Sequence, residues 1–154
     1  MASVFNHVAV CVSDLDRSRR FYEELCGFEF VSLYDSPDDR TVKLLRLPAP
    51  VGLVALYLRM ENCILELLDY RGCGVLEPPR PRELNDLGFT HMSFCVDDLD
   101  DFLARVPAYG GEVLHDTHIG LAVFVRDPDG QLIEVLPMGY RQRIAAEIPR
   151  QVGR

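Results

Sequence analysis

The segment FTHMSFCVDDLD at residues 89–100 is a second version of the segment FNHVAVCVSDLD at residues 5–16. Their shared phenylalanine, histidine, cysteine, valine and final aspartate each stand 84 positions apart. A further pair of similar segments, ILELL at residues 64–68 and LIEVL at residues 132–136, stands 68 positions apart. The chain is therefore an internal duplication, and each half begins with a histidine segment and ends with a glutamate segment.

The two copies differ in length, because the offset falls from 84 to 68 and the second copy is thus 16 residues shorter. Gly27 and Gly111 keep the first offset, whereas Gly52 and Gly120 show the second. We therefore expect the additional residues of the first copy between Gly27 and Gly52, in the polar, proline-bearing residues 34–50.

The composition of the 154 residues, 48% hydrophobic and 26% charged, is typical of one globular domain over residues 1–154. The net charge is −8 and no basic run could neutralise phosphates, so we expect no nucleic-acid partner. The first residues lack a basic segment followed by an apolar one, and no apolar run approaches the ~20 residues that span a bilayer. We therefore expect a cytoplasmic protein with no membrane partner.

The first half has the pattern of a β-α-β-β-β module over residues 4–70. The pattern of residues 41–47 also allows an extra strand. The predicted elements are a strand over 4–12, a helix capped by Ser13-Asp14 and ended by Gly27, a strand over 28–34, and a hairpin of strands 52–60 and 63–70 around Glu61-Asn62.

The second half repeats this order over residues 88–137, after a linker rich in glycine and proline at residues 71–87. We predict an α+β fold of two tandem βαβββ modules, followed by a basic tail at residues 138–154 that is helical around 141–148. The elements of the second module are a strand over 89–96, a helix capped by Asp98 and ended by Pro107 and Gly110-Gly111, and strands over 112–115, 121–126 and 132–136, with a turn at 127–130.

Two histidines and two glutamates recur in register across the duplication. Two copies that bury a common face tend to pack about an approximate two-fold axis, which would bring His7 to His91 and Glu66 to Glu134. Positions two away from each glutamate on its strand are apolar, and an unpaired ionised carboxylate in such surroundings is strongly unfavourable. Two neutral imidazoles, two carboxylates and a divalent ion sum to zero charge. We therefore predict a metal site of His7, Glu66, His91 and Glu134, for zinc, nickel, cobalt, manganese or iron(II).

Single residues of these types have simpler explanations. A lone strand histidine is more often a hydrogen-bonded core residue, and a lone strand glutamate usually faces water; neither explanation predicts recurrence in register.

His115 and His118 lie outside the duplicated pattern, and we expect them at the surface. The five cysteines include no Cys-x-x-Cys pair, so we expect free, small, buried residues. Cys11 and Cys95 lie four strand residues from the histidines, a distance of ~13 Å, and would line a cavity.

The chain resembles the vicinal oxygen chelate superfamily, the group of glyoxalases, bleomycin-resistance proteins and extradiol dioxygenases. The resemblance covers residues 4–137 and implies a half-open, barrel-like sheet of eight strands around a divalent ion that binds two vicinal oxygens of a small-molecule substrate. The segments that carry it are NHVA at 6–9, DLDRSRRFY at 14–22, LELL at 65–68, Thr90-His91 and DPDGQLIE at 127–134.

Glyoxalase I-like members of the superfamily have four ligands in the order His or Gln, Glu, His, Glu, which His7, Glu66, His91 and Glu134 match. The resemblance implies a lyase or isomerase that shifts a proton next to a carbonyl through a metal-bound enediolate, with Glu134 or Glu66 as the base. Zinc, nickel or cobalt are the first candidates for the ion, and manganese or iron follow. The modules of such proteins pair within a chain or across a dimer, and we expect a homodimer.

Departures from the pattern leave alternatives open. Cys11 and Tyr70 stand where glutathione-using bacterial glyoxalases have Arg and Asn, and Pro50-Val51 stands where methylmalonyl-CoA epimerases place an acidic base. An iron(II) extradiol-type dioxygenase and a non-catalytic, antibiotic-binding protein are the other candidates. Bound iron would favour the dioxygenase, absence of metal the binder, and zinc, nickel or cobalt the lyase or isomerase.

Overall fold

The computed structural model describes residues 3–147. The chain divides into two compact units, Met1–Pro81 and Arg82–Arg154, and the boundary falls inside the predicted linker. The predicted tail forms a helix as far as Glu147, and the rest of that prediction, residues 148–154, lies outside the described residues.

The first unit contains a four-stranded mixed sheet in the order β1-β4-β3-β2. Strand β1 is parallel to β4, and the other neighbours are antiparallel. Its elements are β1 (Val8–Val12), α1 (Leu15–Arg20, continued by a π-helical turn Phe21–Leu25), β2 (Glu29–Asp35), α2 (Asp38–Leu45), β3 (Leu53–Met60) and β4 (Cys63–Tyr70).

The second unit repeats this topology in the order β5-β8-β7-β6, again with one parallel pair, β5 and β8. The predicted α+β class with two βαβββ modules is confirmed, and the eight strands form two four-stranded sheets. The elements are β5 (Met92–Val96), α3 (Leu99–Arg105), a 3₁₀ turn (Val106–Tyr109), β6 (Glu112–Leu114), a 3₁₀ turn (His115–Thr117), β7 (Val123–Arg126), β8 (Leu132–Pro137) and α4 (Met138–Glu147).

The predicted helix boundaries are confirmed in both units. The Asp14 carboxylate accepts the backbone N–H of Arg17 at 3.0 Å at the start of α1, and Asp98 accepts that of Asp101 at 3.0 Å at the start of α3. Gly27 follows the π-helical turn with φ +85°, a left-handed conformation that glycine adopts without steric penalty. These local signals therefore set the helix ends, as expected from the sequence.

In each sheet the candidate glutamate lies on the face opposite a set of buried apolar side chains. In the first unit the buried pairs Leu56–Leu67 and Leu58–Leu65 lie on the face opposite Glu66, and α1 packs against β4. In the second unit Val123, Val125, Ile133 and Val135 are buried on the face opposite Glu134. Because side chains alternate along a strand, burying these residues turns the glutamates to the other face.

Three predictions about the elements are wrong. Residues 41–47 are not an extra strand, because α2 occupies Asp38–Leu45; Asp38 and Asp39 in its first turn and Lys43 in its last favour a helix. The strands predicted over 4–12 and 89–96 begin only at β1 and β5, so both candidate histidines stand just before their strands.

No disulfide joins any two of the five cysteines, and their predicted burial is wrong. Cys11, Cys63 and Cys73 are exposed, and Cys26 and Cys95 are half-buried. Cys11 and the buried Val12 lie on opposite faces of β1, and the Cys11 side chain is exposed. Among residues 3–147, no helix combines the length and apolar character needed to cross a membrane.

Candidate metal centre

Each unit brings one candidate histidine to one candidate glutamate. In the first unit, Nε2 of His7 lies 3.0 Å from Oε2 of Glu66. In the second unit, Nε2 of His91 lies 3.9 Å from Oε2 of Glu134. Both pairs arise because a parallel strand pair, β1 with β4 and β5 with β8, places the residue before one strand beside the start of the other, two residues before its glutamate. The structure thus assembles each pair from equivalent positions.

The two carboxylates differ in exposure. The Glu66 side chain is 11% exposed and that of Glu134 is 28% exposed, whereas His7 and His91 are 33% and 32% exposed. The neighbours of Glu66 on its strand face, Ile64 and Leu68, are half-buried apolar residues. A carboxylate with so little contact with water requires hydrogen-bond donors or a cation.

Both histidine rings are held through the nitrogen that faces away from the glutamate. Nδ1 of His7 lies 3.1 Å from Nδ2 of Asn6, and Nδ1 of His91 lies 2.9 Å from Oγ1 of Thr90. Histidines that bind metals through one nitrogen usually hydrogen-bond through the other. The Thr90 hydroxyl can accept a hydrogen bond from Nδ1 of His91, which fits a ring that coordinates through Nε2. The Asn6 NH₂ group instead donates to Nδ1 of His7, and the amide would have to turn its oxygen toward the ring for His7 to coordinate through Nε2.

Each glutamate also has a hydroxyl-bearing residue directly opposite it on a neighbouring strand. Interaction of the Tyr57 hydroxyl with the Glu66 carboxylate, together with burial, raises the pKa of Tyr57 to about 12. The Ser93 hydroxyl donates to Oε2 of Glu134 at 2.8 Å. The imidazole of His7 meets the Tyr57 ring edge-on at 6.2 Å between centroids, and His91 meets Phe124 in the same way at 5.3 Å.

Sequence reasoning missed Tyr57 and Ser93, although a signal for Tyr57 was present. The predicted two-residue turn at Glu61-Asn62 sets the register of the hairpin, and counting outward from it places Tyr57 opposite Glu66. Ser93 lies opposite Glu134 in a parallel pair. No local turn defines that register, so the sequence contained no comparable signal for it.

The chemistry of these side chains fits a divalent metal ion. Within either unit taken by itself, the described residues bring together two candidate ligands and no group of three or more. Each unit therefore offers one imidazole nitrogen and one carboxylate oxygen, which is half of a four-ligand set. Such mixed donors suit zinc, nickel, cobalt, manganese or iron(II).

The other candidate residues lie apart from the pairs. His115 and His118 are exposed, as expected, and Nδ1 of His118 accepts the backbone N–H of Gly120 at 3.3 Å. Cys11 lies opposite Leu68 on β4, one step beyond Glu66 on the same face of the sheet. Tyr70 is the next residue of that face, and burial raises its pKa, with smaller contributions from Cys11 and Cys73.

The family model of the Glyoxalase/Bleomycin resistance protein/Dioxygenase superfamily matches residues 4–135. The chain belongs to this superfamily. Its recognition from the two histidine segments and the two glutamate segments is thereby confirmed.

Relatives within the superfamily are distant. The chain is 25% identical over 154 residues to lactoylglutathione lyase from Arabidopsis thaliana, an alignment that covers 97% of the chain and 49% of the relative. It is 27% identical over 137 residues to a probable lactoylglutathione lyase from Synechocystis, covering 84% of the chain and 92% of the relative. The chain spans about half the length, or less, of the plant relatives that it matches.

Solved structures of the superfamily share the fold. Glyoxalase I from Leishmania major aligns with a TM-score of 0.69 at 24% identity, covering 95% of the chain and 94% of that structure. This similarity supports the α+β architecture of two modules. At this level of identity it carries no information on the substrate.

Proposed function

We propose that His7, Glu66, His91 and Glu134 jointly bind one divalent metal ion and that the protein is a glyoxalase-like lyase or isomerase. The observation that supports this most directly is the repetition of one His–Glu pair at equivalent strand positions in both units. Either pair alone is too small a ligand set for a tightly bound ion, whereas both together make a neutral four-ligand site. Zinc, nickel or cobalt are the preferred ions, followed by manganese and iron(II).

The reaction proposed is an internal proton shift on a small molecule with two vicinal oxygens. A divalent ion bound at the site would polarise the substrate carbonyl and stabilise the negative charge that develops on its oxygen. A carboxylate, Glu134 or Glu66, takes the proton from the hydroxyl-bearing carbon next to the carbonyl and returns it to the former carbonyl carbon, while the hydroxyl proton moves to the other oxygen, so that the carbonyl and the hydroxyl exchange places. No net oxidation occurs and no external co-reactant is required.

The face beyond Glu66 limits the kind of substrate. Its side chains at the next strand positions are Cys11, Leu68 and Tyr70, none of which is positively charged. They offer no cation to the carboxylates of glutathione, so we infer a less charged substrate than the one named in the lactoylglutathione lyases. The proposal also includes a homodimer and a cytoplasmic location, and light scattering after size-exclusion chromatography would test the dimer.

Elemental analysis followed by proton exchange tests this function. The purified protein is expected to contain zinc, nickel or cobalt and, in D₂O, to incorporate deuterium at the carbon next to the carbonyl of an α-hydroxy ketone or a thiol–ketoaldehyde adduct. Glu134→Gln and Glu66→Gln identify the base by loss of exchange. Absence of metal-dependent exchange across such a panel would contradict the proposal, and bound iron with oxygen consumption would favour a dioxygenase.

A further inference from the structure

The His–Glu pair of the second unit is open, whereas that of the first unit is closed by a direct contact. Nε2 of His7 lies 3.0 Å from Oε2 of Glu66, which is within hydrogen-bond distance. Nε2 of His91 lies 3.9 Å from Oε2 of Glu134, which is too far for a hydrogen bond. The two candidate ligand atoms therefore contact each other in the first unit and stand apart in the second.

Ser93 binds the carboxylate oxygen that faces His91. Its hydroxyl donates to Oε2 of Glu134 at 2.8 Å, the usual length of such a bond. Ser93 lies directly opposite Glu134 in the parallel pair of β5 and β8, so the two side chains share one face of the sheet. In the first unit the residue opposite Glu66 is Ala9, whose methyl group donates no hydrogen bond. The unit with the longer His–Glu distance is thus the unit with the serine.

The histidine rings differ in the same direction. The Thr90 hydroxyl, 2.9 Å from Nδ1 of His91, can accept the proton of that nitrogen, which leaves Nε2 of His91 as the acceptor. The Asn6 NH₂ group donates to Nδ1 of His7, so the ring proton lies on Nε2, the atom that contacts Glu66. The second pair can therefore offer a nitrogen and an oxygen to an ion without first breaking a contact between them.

We propose that Ser93 is a positioning residue that holds the Glu134 carboxylate apart from His91, so that the second unit presents a ligand pair already arranged for a divalent ion. This inference rests on the proposed metal-binding function. An ionised carboxylate has about four acceptor sites on its two oxygens, so Glu134 can keep the Ser93 hydrogen bond and still offer a lone pair to an ion. The hydroxyl then contributes to metal affinity without contacting the metal, because a restrained carboxylate loses less conformational freedom on binding.

Cobalt(II) titration of the full chain tests this role. Ser93→Ala reproduces the arrangement at Ala9, and we expect Co(II) affinity, measured against a competing chelator, to fall about tenfold. We place the effect at the low end of the usual range because Ser93 is exposed and its hydrogen bond competes with water. The visible absorption of bound Co(II) should change as well, because Glu134 is held differently. Ser93→Thr keeps the hydroxyl and should restore most of the affinity and the wild-type spectrum.

Ser32→Ala is the matched control. Ser32 is also an exposed strand serine, and it lies opposite Tyr57 on β3 rather than opposite a candidate ligand. This variant should retain the affinity and the Co(II) spectrum of the wild type. The thermal midpoint of the metal-free Ser93→Ala protein should stay close to that of the wild type, which separates ligand positioning from a general loss of stability.

The outcomes separate this inference from the proposed function. A wild-type protein that does not bind Co(II) would overturn both. A wild-type protein that binds Co(II), together with a Ser93→Ala variant of unchanged or higher affinity, would overturn the role of Ser93 and leave the metal-binding proposal standing. A loss of affinity that Ser93→Thr does not restore, or that Ser32→Ala shares, would also overturn the role of the Ser93 hydroxyl.

Discussion

At the residue scale, the feature that most needs explanation is the Glu66 carboxylate. It is 11% exposed, has apolar neighbours along its strand, and lies 3.0 Å from Nε2 of His7, with the Tyr57 side chain on the residue directly opposite. These partners compensate part of the desolvation of the charge in the metal-free protein. A divalent ion would compensate the rest, and so Glu66 provides the most informative substitution in the chain.

Glu66→Gln is expected to lower metal affinity by about tenfold or more while changing the metal-free protein less. The amide keeps the shape and one oxygen, but it removes a negative charge that would balance the ion. In the metal-free protein the same loss relieves a nearly buried charge. Thermal midpoints with and without zinc, nickel or cobalt would measure both effects. An unchanged metal-induced shift would place Glu66 outside the ligand set and favour the dioxygenase alternative.

His115 and His118 provide the corresponding negative test. Both are exposed and lie outside the repeated pairs, so His115→Ala and His118→Ala should each keep the full metal content. Elemental analysis of the two purified variants checks this. A variant with less than the wild-type metal content would show that the site includes histidines other than His7 and His91.

At the element scale, the first unit is distinguished by the connection between β2 and β3. This connection contains α2, and the carboxylate of Asp38 accepts the backbone N–H groups of Val51 at 3.1 Å and of Gly52 at 3.0 Å. The backbone N–H of Arg71 donates to the carbonyl of Gly52, so the start of β3 is also tied to the chain that follows β4. The acidic first turn of α2 and the hydrogen bonds at Val51 and Gly52 together determine the path of this connection.

Gly52→Ala should lower the free energy of unfolding by more than Gly27→Ala does. Both glycines have left-handed φ angles, +57° and +85°, which cost a residue with Cβ roughly 1–2 kcal/mol. A Cβ at Gly52 would also lie 2.7 Å from the backbone nitrogen of Gly72, whereas nothing lies within 4 Å of a Cβ at Gly27. Urea denaturation of both variants measures the difference. Equal losses would mean that the backbone at Gly72 moves away without penalty.

The hairpins show why register could not be read from repeated sequence alone. Gly52 and Gly120 stand 68 positions apart and suggest equivalence, but Tyr57 and Phe124, opposite the two glutamates, stand 67 apart. The chain from Phe124 to Glu134 is therefore one residue longer than the chain from Tyr57 to Glu66, and it turns through residues 127–131, whereas the first hairpin turns through residues 61–62. Asp127 stabilises the longer turn by accepting the backbone N–H groups of Asp129 at 2.9 Å and Gln131 at 2.8 Å.

At the scale of the whole molecule, the repeated pairs predict how much metal the protein holds. If both pairs serve one ion, purified protein should contain one divalent ion per chain, and His7→Ala and His91→Ala should each abolish stoichiometric binding. Elemental analysis and competition with a chelator measure this. Two ions per chain, or a His91→Ala variant that keeps its ion, would show that the pairs act separately.

The sequence by itself determined the duplication, the α+β class, the helix caps, the hairpin strands and the four candidate ligands. These features depend on spacing, periodicity and turn chemistry, which are local and recur visibly in both halves. The two His–Glu pairs do not follow from the repeat alone, because they depend on β1 lying beside β4 and β5 lying beside β8.

Only the tertiary structure decided α2, the exposure of the cysteines, the start of β1 and β5 after the histidines, and the hydroxyl-bearing residues opposite the glutamates. These depend on which strands become neighbours and on what covers each face. Cross-strand pairing places Tyr57 opposite Glu66 and brings the Ser93 hydroxyl to Glu134, and the sequence of a strand does not specify which strand it pairs with. The two units therefore differ in the residues that lie opposite their glutamates because their strand registers differ, whereas their common order of elements follows from the repeated sequence.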